Sequence, residues 1–341
     1  MEGNYSFKEF SDAQRRLYDG AVLIYAAFLE AARQTRAFRG GVHWKNIKGR
    51  QYLYQYWDRH GHGRSLGPRS DHTEQFFDRF TRDRRAAAEH FQAQRRHLAE
   101  QARFCRAAWL PRVPRTAARI LRQLEQHDFL GENLVVIGAN AIHAYEFAAG
   151  VFLESGTVDL FSGSSSRLTL ATDGEASLDA LLGLLKKADR SFAAVRGEGF
   201  RLVNQRGYRV QVLRPWQQKA KGTRAEETGS AESYNLHYLV ASPKFSQVVI
   251  GQDGTPATMV VPDPRAFALH RLWLSEQPGR EESQRARDRG QAGAVAELVL
   301  RYLPQYHFFH ADLRRFPPEV VRQASHLAEG PDLATDLEVE Y

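Results

Sequence analysis

Apolar positions in this chain follow two rhythms, and the change between them divides it. In residues 11–37, Leu17, Ala21, Ile24, Phe28 and Ala31 recur at helical spacing, and Gly40-Gly41 ends the pattern. A longer helix is predicted over 73–110. There Phe77, Phe80, Ala87, Phe91, Leu98, Ala102, Cys105 and Trp109 form one stripe with arginines on the other faces, and Pro111 and Pro114 break it. A further helix is expected over 115–127. Between the first two helices, residues 42–57 are rich in aromatic and β-branched side chains around Lys48-Gly49, which predicts a β-hairpin. Residues 58–70 read as a glycine-rich basic loop.

From residue 133 the rhythm alternates short buried strands with helices. N-L-V-V-I-G (133–138) predicts a strand and N-A-I-H-A-Y-E-F-A-A-G (140–150) an apolar helix. T-V-D-L-F (157–161) predicts a second strand, and 177–189 an amphipathic helix. Residues 200–204 and 208–213 predict strands joined by Gln205-Arg206-Gly207. Residues 217–233 are polar and glycine-containing, a flexible loop. Short strands with a turn at Asp253-Gly254 are expected over 236–261. Helices follow at 262–275, with Asp263 as its cap, and at 289–302. The predicted class is α+β. Residues 1–130 form an N-terminal helical region with a basic hairpin and 131–216 a mixed-sheet core with flanking helices. The flexible loop (217–233) leads to a C-terminal region of short strands and helices (234–328) and an acidic tail (329–341).

Composition narrows the setting. A 341-residue chain can bury a core large enough to need no staple, and its single cysteine, Cys105, permits no internal disulfide. Residues 1–10 lack a basic segment followed by an apolar run, and no apolar stretch reads as a membrane span, so a cytoplasmic protein is expected. The formal charge of +7 favours polyanionic partners, although many arginines alternate with acids on predicted helix faces.

Two features carry candidate chemistry. The first is V-V-I-G-A-N-A: a strand, then Gly138-Ala139, then Asn140 as the expected helix cap. A glycine there lets backbone approach a phosphate at a helix N-terminus. The second is T-V-D-L-F. On a strand Thr157 and Asp159 share one face, where a carboxylate can hold Mg²⁺. On the strand 208–213, Arg209, Gln211 and Leu213 share a face. Elsewhere Lys45, Lys48, Arg50, Arg64 and Arg69, interleaved with Trp44, Tyr52, Tyr54, Tyr56 and Trp57, suit contact with nucleic acid. They equally suit a hairpin that packs its aromatics on the long helix. His60 and His62 have no acidic or cysteine partner at ligand spacing, and His143 and His270 read as core histidines.

Q-R-R-L-Y-D-G (14–20), R-G-G-V-H-W-K (39–45), G-R-S-L-G-P-R-S (63–70), R-V-P-R-T-A-A-R-I-L-R (112–122), G-A-N-A-I-H-A-Y-E-F-A-A-G-V (138–151) and P-D-P-R-A-F-A-L-H-R-L-W-L-S (262–275) stand in order along the chain. With these blocks the sequence resembles bacterial nucleotidyltransferase-fold proteins of the polymerase-β superfamily, related to the minimal and abortive-infection-type nucleotidyltransferases. The resemblance implies a mixed sheet with flanking helices, an NTP substrate, Mg²⁺, and transfer of a nucleotidyl group to a protein or nucleic-acid acceptor. The family's three metal-binding aspartates fall on Thr157, Asp159 and Gln211, and its glycine turn on Gly138, Ala139 and Asn140. Only Asp159 is an aspartate. One carboxylate offsets a quarter of the charge of two Mg²⁺ ions. The alternative expectation is a non-catalytic homologue that binds nucleotide or nucleic acid, as a toxin–antitoxin or phage-defence component.

Overall fold

A computed structural model describes residues 5–38, 40–58, 61–131, 134–154, 159–172, 174, 177–195, 201–215, 236–308 and 313. The loop expected at 217–233 and the tail at 329–341 lie outside them. The chain forms two compact units, one from Met1–Arg15 with Leu110–Tyr341 and one from Arg16–Trp109.

The second unit is built on two long helices, α1 (Asp12–Ala37) and α2 (Asp71–Ala107). The buried stripe of α1 is Tyr18, Ala21, Tyr25, Phe28 and Ala31, with Phe28 against Phe91 of α2 at a ring distance of 5.4 Å. Ser70 starts α2 by accepting from the Thr73 amide while the Thr73 hydroxyl accepts from the Ser70 amide. Trp109 leaves the predicted stripe. The helix ends at Ala107, Trp109 takes φ +58°, and its ring is 84% exposed. The predicted hairpin is β2 (Gly41–Ile47) against β3 (Arg50–Tyr56). Positive φ at both Lys48 and Gly49 makes the tight turn whose twist suits a hairpin. The expected loop at 58–70 contains a third strand, β4 (Gly63–Pro68), paired with β3. Arg64, Ser65 and Leu66 continue the extended chain between its glycines, and a bulge at Leu53/Tyr54 absorbs the irregularity.

In the first unit α3 (Arg115–Glu125) leads to β5 (Val135–Ile137), a short 3₁₀ turn (Ala139–Ala141) and α4 (Ile142–Ala149). A five-stranded mixed sheet has β5 at one edge, then β7 (Arg167–Ala171), β10 (Arg209–Leu213), β9 (Arg201–Val203) and β8 (Ala193–Ala194). β7 is antiparallel to β5 and parallel to β10, while β9 and β10 form the expected hairpin. Helix α5 (Leu178–Ala188) packs on α3. A separate pair joins β1 (Ser6–Glu9) to β6 (Val151–Glu154). A short helix, α6 (Leu236–Ala241), precedes the hairpin β11 (Lys244–Ile250) and β12 (Pro256–Pro262). Asp263 then caps α7 (Pro264–Ser275), which packs along α8 (Glu282–Tyr302). Helix α8 starts seven residues before the predicted 289, because polar Glu282–Asp288 gives the first two turns no apolar stripe.

Glu146 ties α4 to β6. Fully buried, it accepts from the Leu153 amide at 2.8 Å and from Arg112 Nη2 at 3.0 Å. His143 Nδ1 lies 2.8 Å from its other oxygen. Removing such a carboxylate leaves the buried Leu153 amide and His143 ring without this partner and takes one of two acceptors from the half-buried Arg112 Nη2. Glu146→Ala is expected to lower unfolding free energy by about 3–5 kcal/mol, read as a fall in the urea midpoint. An unchanged midpoint would contradict the central role of this carboxylate.

Candidate functional site

The five-stranded sheet is two-faced. Leu168, Leu170, Leu202, Val210 and Val212 are buried on one side, while Arg167, Thr169 and Gln211 alternate with them on a partly open side. Register places Ile137, Thr169 and Gln211 side by side across three strands. The open side forms one wall of a pocket whose opposite wall is α7 and α8, through His270, Arg271, Leu274, Arg287 and Gln291.

Gly138 sits where β5 meets the pocket. Its φ of +76° with ψ −165° is a conformation that L side chains rarely adopt. A Cβ there would come 3.4 Å from Arg271 Nη2 and 3.7 Å from the Thr169 hydroxyl. Asn140 does not cap a helix as expected. The chain makes a 3₁₀ turn first, and the Asn140 amide reaches back to donate to the Arg167 carbonyl at 2.8 Å. It is buried, lines the pocket, and its Oδ1 has no partner among the described residues. Gln291 repeats the arrangement from the facing wall. Its Nε2 donates to the Leu160 carbonyl at 2.6 Å and its buried Oε1 has no partner there.

The charge of the pocket is cationic. Arg167, Arg271 and Arg287 line it, and among the described residues no carboxylate does. Asp288, fully buried behind the wall, accepts from Arg271 Nη1 at 2.8 Å. Arg280 Nη2 stands 2.8 Å from its other oxygen, close enough for charge pairing but off line for a hydrogen bond. Burial pulls the Arg287 guanidinium below its ordinary value, and the positive charges of Arg271, Arg167 and Arg280 add to that, against Asp288. Four guanidiniums thus act on one another around one carboxylate, an arrangement that an anion relieves.

The expected metal positions fare unequally. Thr157 lies outside the described residues. Asp159 and Phe161 are in a turn rather than the predicted strand. The Asp159 carboxylate accepts from the Phe161 amide at 3.0 Å, and its carbonyl accepts from Ser162, so local turn bonds take the place of a ladder. The strand between β5 and β10 is instead Arg167–Ala171. Asp159 is exposed and does not line the pocket, although Ser162, Gly163 and Ser164 just beyond it do. The Phe161 ring stacks on His143 at 4.8 Å, which anchors this segment to α4. Gln211 is half-buried on the pocket face of the sheet. Among the described residues no three His, Cys, Asp or Glu side chains converge where they could hold a metal ion. One exposed carboxylate and one amide do not fit a two-Mg²⁺ clamp.

The basic hairpin residues are in the second unit. Lys48, Arg50 and Arg64 are exposed, and Lys45 Nζ lies 5.4 Å over the Tyr54 ring. Arg69 is engaged, donating to Glu74 and Gln51 and lying over Trp44. Of the other histidines, His62 pairs with Asp58, His60 lies outside the described residues, and His270, like His143, is buried. The pocket residues that sequence reasoning missed are Arg167, Arg271, Arg287 and Gln291. The available signal was R-A-R-D-R at 285–289, an acid inside a run of arginines, but its pairing with Arg271 depends on how α7 meets α8.

A family model described as nucleotidyltransferase matches residues 115–314, more than half of the chain, and so spans the pocket. No curated protein and no solved structure matches the sequence.

Gly138 and Gly183 make a matched pair. Gly183 lies inside α5 with nothing within 4 Å of a Cβ. Gly138→Ala is expected to cost about 1–3 kcal/mol, whereas Gly183→Ala gains up to about 1 kcal/mol. Thermal and urea denaturation of the two variants checks both signs.

Proposed function

The chain belongs to this nucleotidyltransferase family, and we propose on that premise that it binds a nucleoside triphosphate in the pocket at Gly138, holding the phosphates with arginines. The observation that carries this reading is the carboxylate-free lining: Arg167, Arg271 and Arg287 converge beside a glycine turn. Guanidinium forks match phosphate oxygens, and a backbone turn without a Cβ lets the anion come close. Asn140 and Gln291 also line the pocket, each held in place by its amide nitrogen donating to a backbone carbonyl. In this reading the arginines do the charge compensation that a carboxylate-bound Mg²⁺ pair does elsewhere, and Asp159 is a turn residue.

Calorimetric titration with ATP, GTP, CTP and UTP tests it. At least one triphosphate is expected to bind equally well in Mg²⁺ and in EDTA. Arg167→Gln and Arg287→Gln should each weaken binding about 10–100-fold, the worth of a hydrogen bond to a charged group. Asp159→Asn is expected to leave affinity unchanged. Binding that needs Mg²⁺ and disappears with Asp159→Asn would refute the arginine-held mode. So would transfer of a label from an α-labelled triphosphate that the same variant abolishes.

A further inference from the structure

The three-stranded sheet of the second unit has one face committed and one open. Val42 and Leu53 are buried on the first, and Trp44 meets Phe77 of α2 at 5.9 Å. Alternation and register place His43, Lys45, Tyr52, Tyr54 and Tyr56 on the other, with His43 opposite Tyr54 and Lys45 opposite Tyr52. Tyr54 and Tyr56 stack at 6.1 Å with 22° between planes, and the His43 ring lies 6.0 Å from Tyr56. His43 and Lys45 are exposed and the three tyrosines half-buried. The face is a short ladder of rings, and the β4 residues opposite Tyr56, Tyr54 and Tyr52 are the small Gly63, Ser65 and Pro68.

Charge selects what this ladder can hold. Residues 41–70 contain six Lys and Arg and one acid, Asp58, whose carboxylate is taken up by His62 at 2.6 Å. Lys45 and Arg50 share the tyrosine face, Lys48 stands at the hairpin tip, and Arg84 of α2 comes within 3.5 Å of where a Cβ on Gly41 would be. Arg69 and Arg64 do not serve the ladder. Arg69 is tied to Glu74 over Trp44, and Arg64 pairs with Gln55 on the other face.

We propose that this face binds single-stranded nucleic acid, with bases stacked on Tyr54, Tyr56 and Tyr52 and phosphates on Lys45, Arg50 and Lys48. Exposed rings offer every base a stacking partner, and the surrounding cations track a phosphate chain. A duplex fits less well, because its bases already stack on one another and leave the rings unused. Tyr52 to Tyr56 spans roughly 13 Å along the strand, space for two or three bases.

The test is fluorescence anisotropy of the full chain with a fluorescein-labelled twelve-nucleotide mixed-sequence strand, as RNA and as DNA, and with the matching duplexes. Single strands of at least one sugar type are expected to bind at least about tenfold tighter than duplex, weakening steeply with salt. Tyr54→Ala and Tyr56→Ala should each weaken binding about 5–150-fold, the worth of one stacked base. Tyr54→Phe, which keeps the ring, should stay within about twofold. Lys45→Ala should reduce the slope of log affinity on log salt by about 0.7. Circular dichroism melting checks that each variant is folded. Equal affinity for duplex, or folded Tyr→Ala variants that bind like the parent, would overturn the proposal. So would the absence of single-strand binding, including the case in which only an acidic protein is captured.

Discussion

The candidate pocket depends on one buried carboxylate. Asp288 is fully enclosed on α8, and its two oxygens face Arg271 from α7 and Arg280 from the turn before α8. An isolated ionised acid in that position costs several kcal/mol of lost hydration. Only converging guanidiniums offset it, so the carboxylate dictates how the two helices meet. Together with the Phe267 ring it holds Arg271 within reach of Gly138. The pocket's charge and its shape therefore share one cause. Arg287 and Arg167 then add positive charge that Asp288 alone does not balance.

Much of the scaffold was legible in the sequence because local rules sufficed. Helices α1 and α3, the positive-φ turn at Lys48-Gly49, the β9/β10 and β11/β12 hairpins and the Asp263 cap each depend on neighbouring residues, although the buried α1 stripe runs through Tyr18 and Tyr25 rather than the expected Leu17 and Ile24. What was not legible depends on distant ones. Arg167–Ala171 carries no strong strand signal of its own, with two polar residues and a serine run before it. It is a strand because β5 and β10 flank it on both sides. Trp109 has the spacing of a core residue, but the helix stops two residues earlier and the ring swings outward. Val151–Glu154 has no strand expectation of its own, because it becomes a strand by pairing with the distant β1.

The same distinction governs the site. Gly138 was identifiable from strand, glycine and small residue in succession, since that order predicts a special backbone conformation whatever surrounds it. Asn140 was named for the wrong reason. Its amide serves the neighbouring strand rather than a helix end, and its buried oxygen has no partner among the described residues. Asp159 was identified by assuming that alternation in T-V-D-L-F meant a strand. In the described residues the aspartate closes a turn, a competing use of a short polar side chain that sequence spacing cannot distinguish. The arginines that line the pocket come from β7, α7 and α8, and no local pattern brings them together.

The neutral residues and the arginines of this pocket bear on one electrostatic question. A phosphate chain needs positive charge, and a protein supplies it either through a metal held by carboxylates or through its own cations. The two solutions oppose each other. Guanidiniums packed near carboxylates form ion pairs with them, as Asp288 does, and so compete with a metal for the same oxygens. A pocket lined by Arg167, Arg271 and Arg287 also disfavours Mg²⁺, since like charges repel. The proposed arginine-held triphosphate thus accounts for the neutral residue and the surplus guanidiniums together.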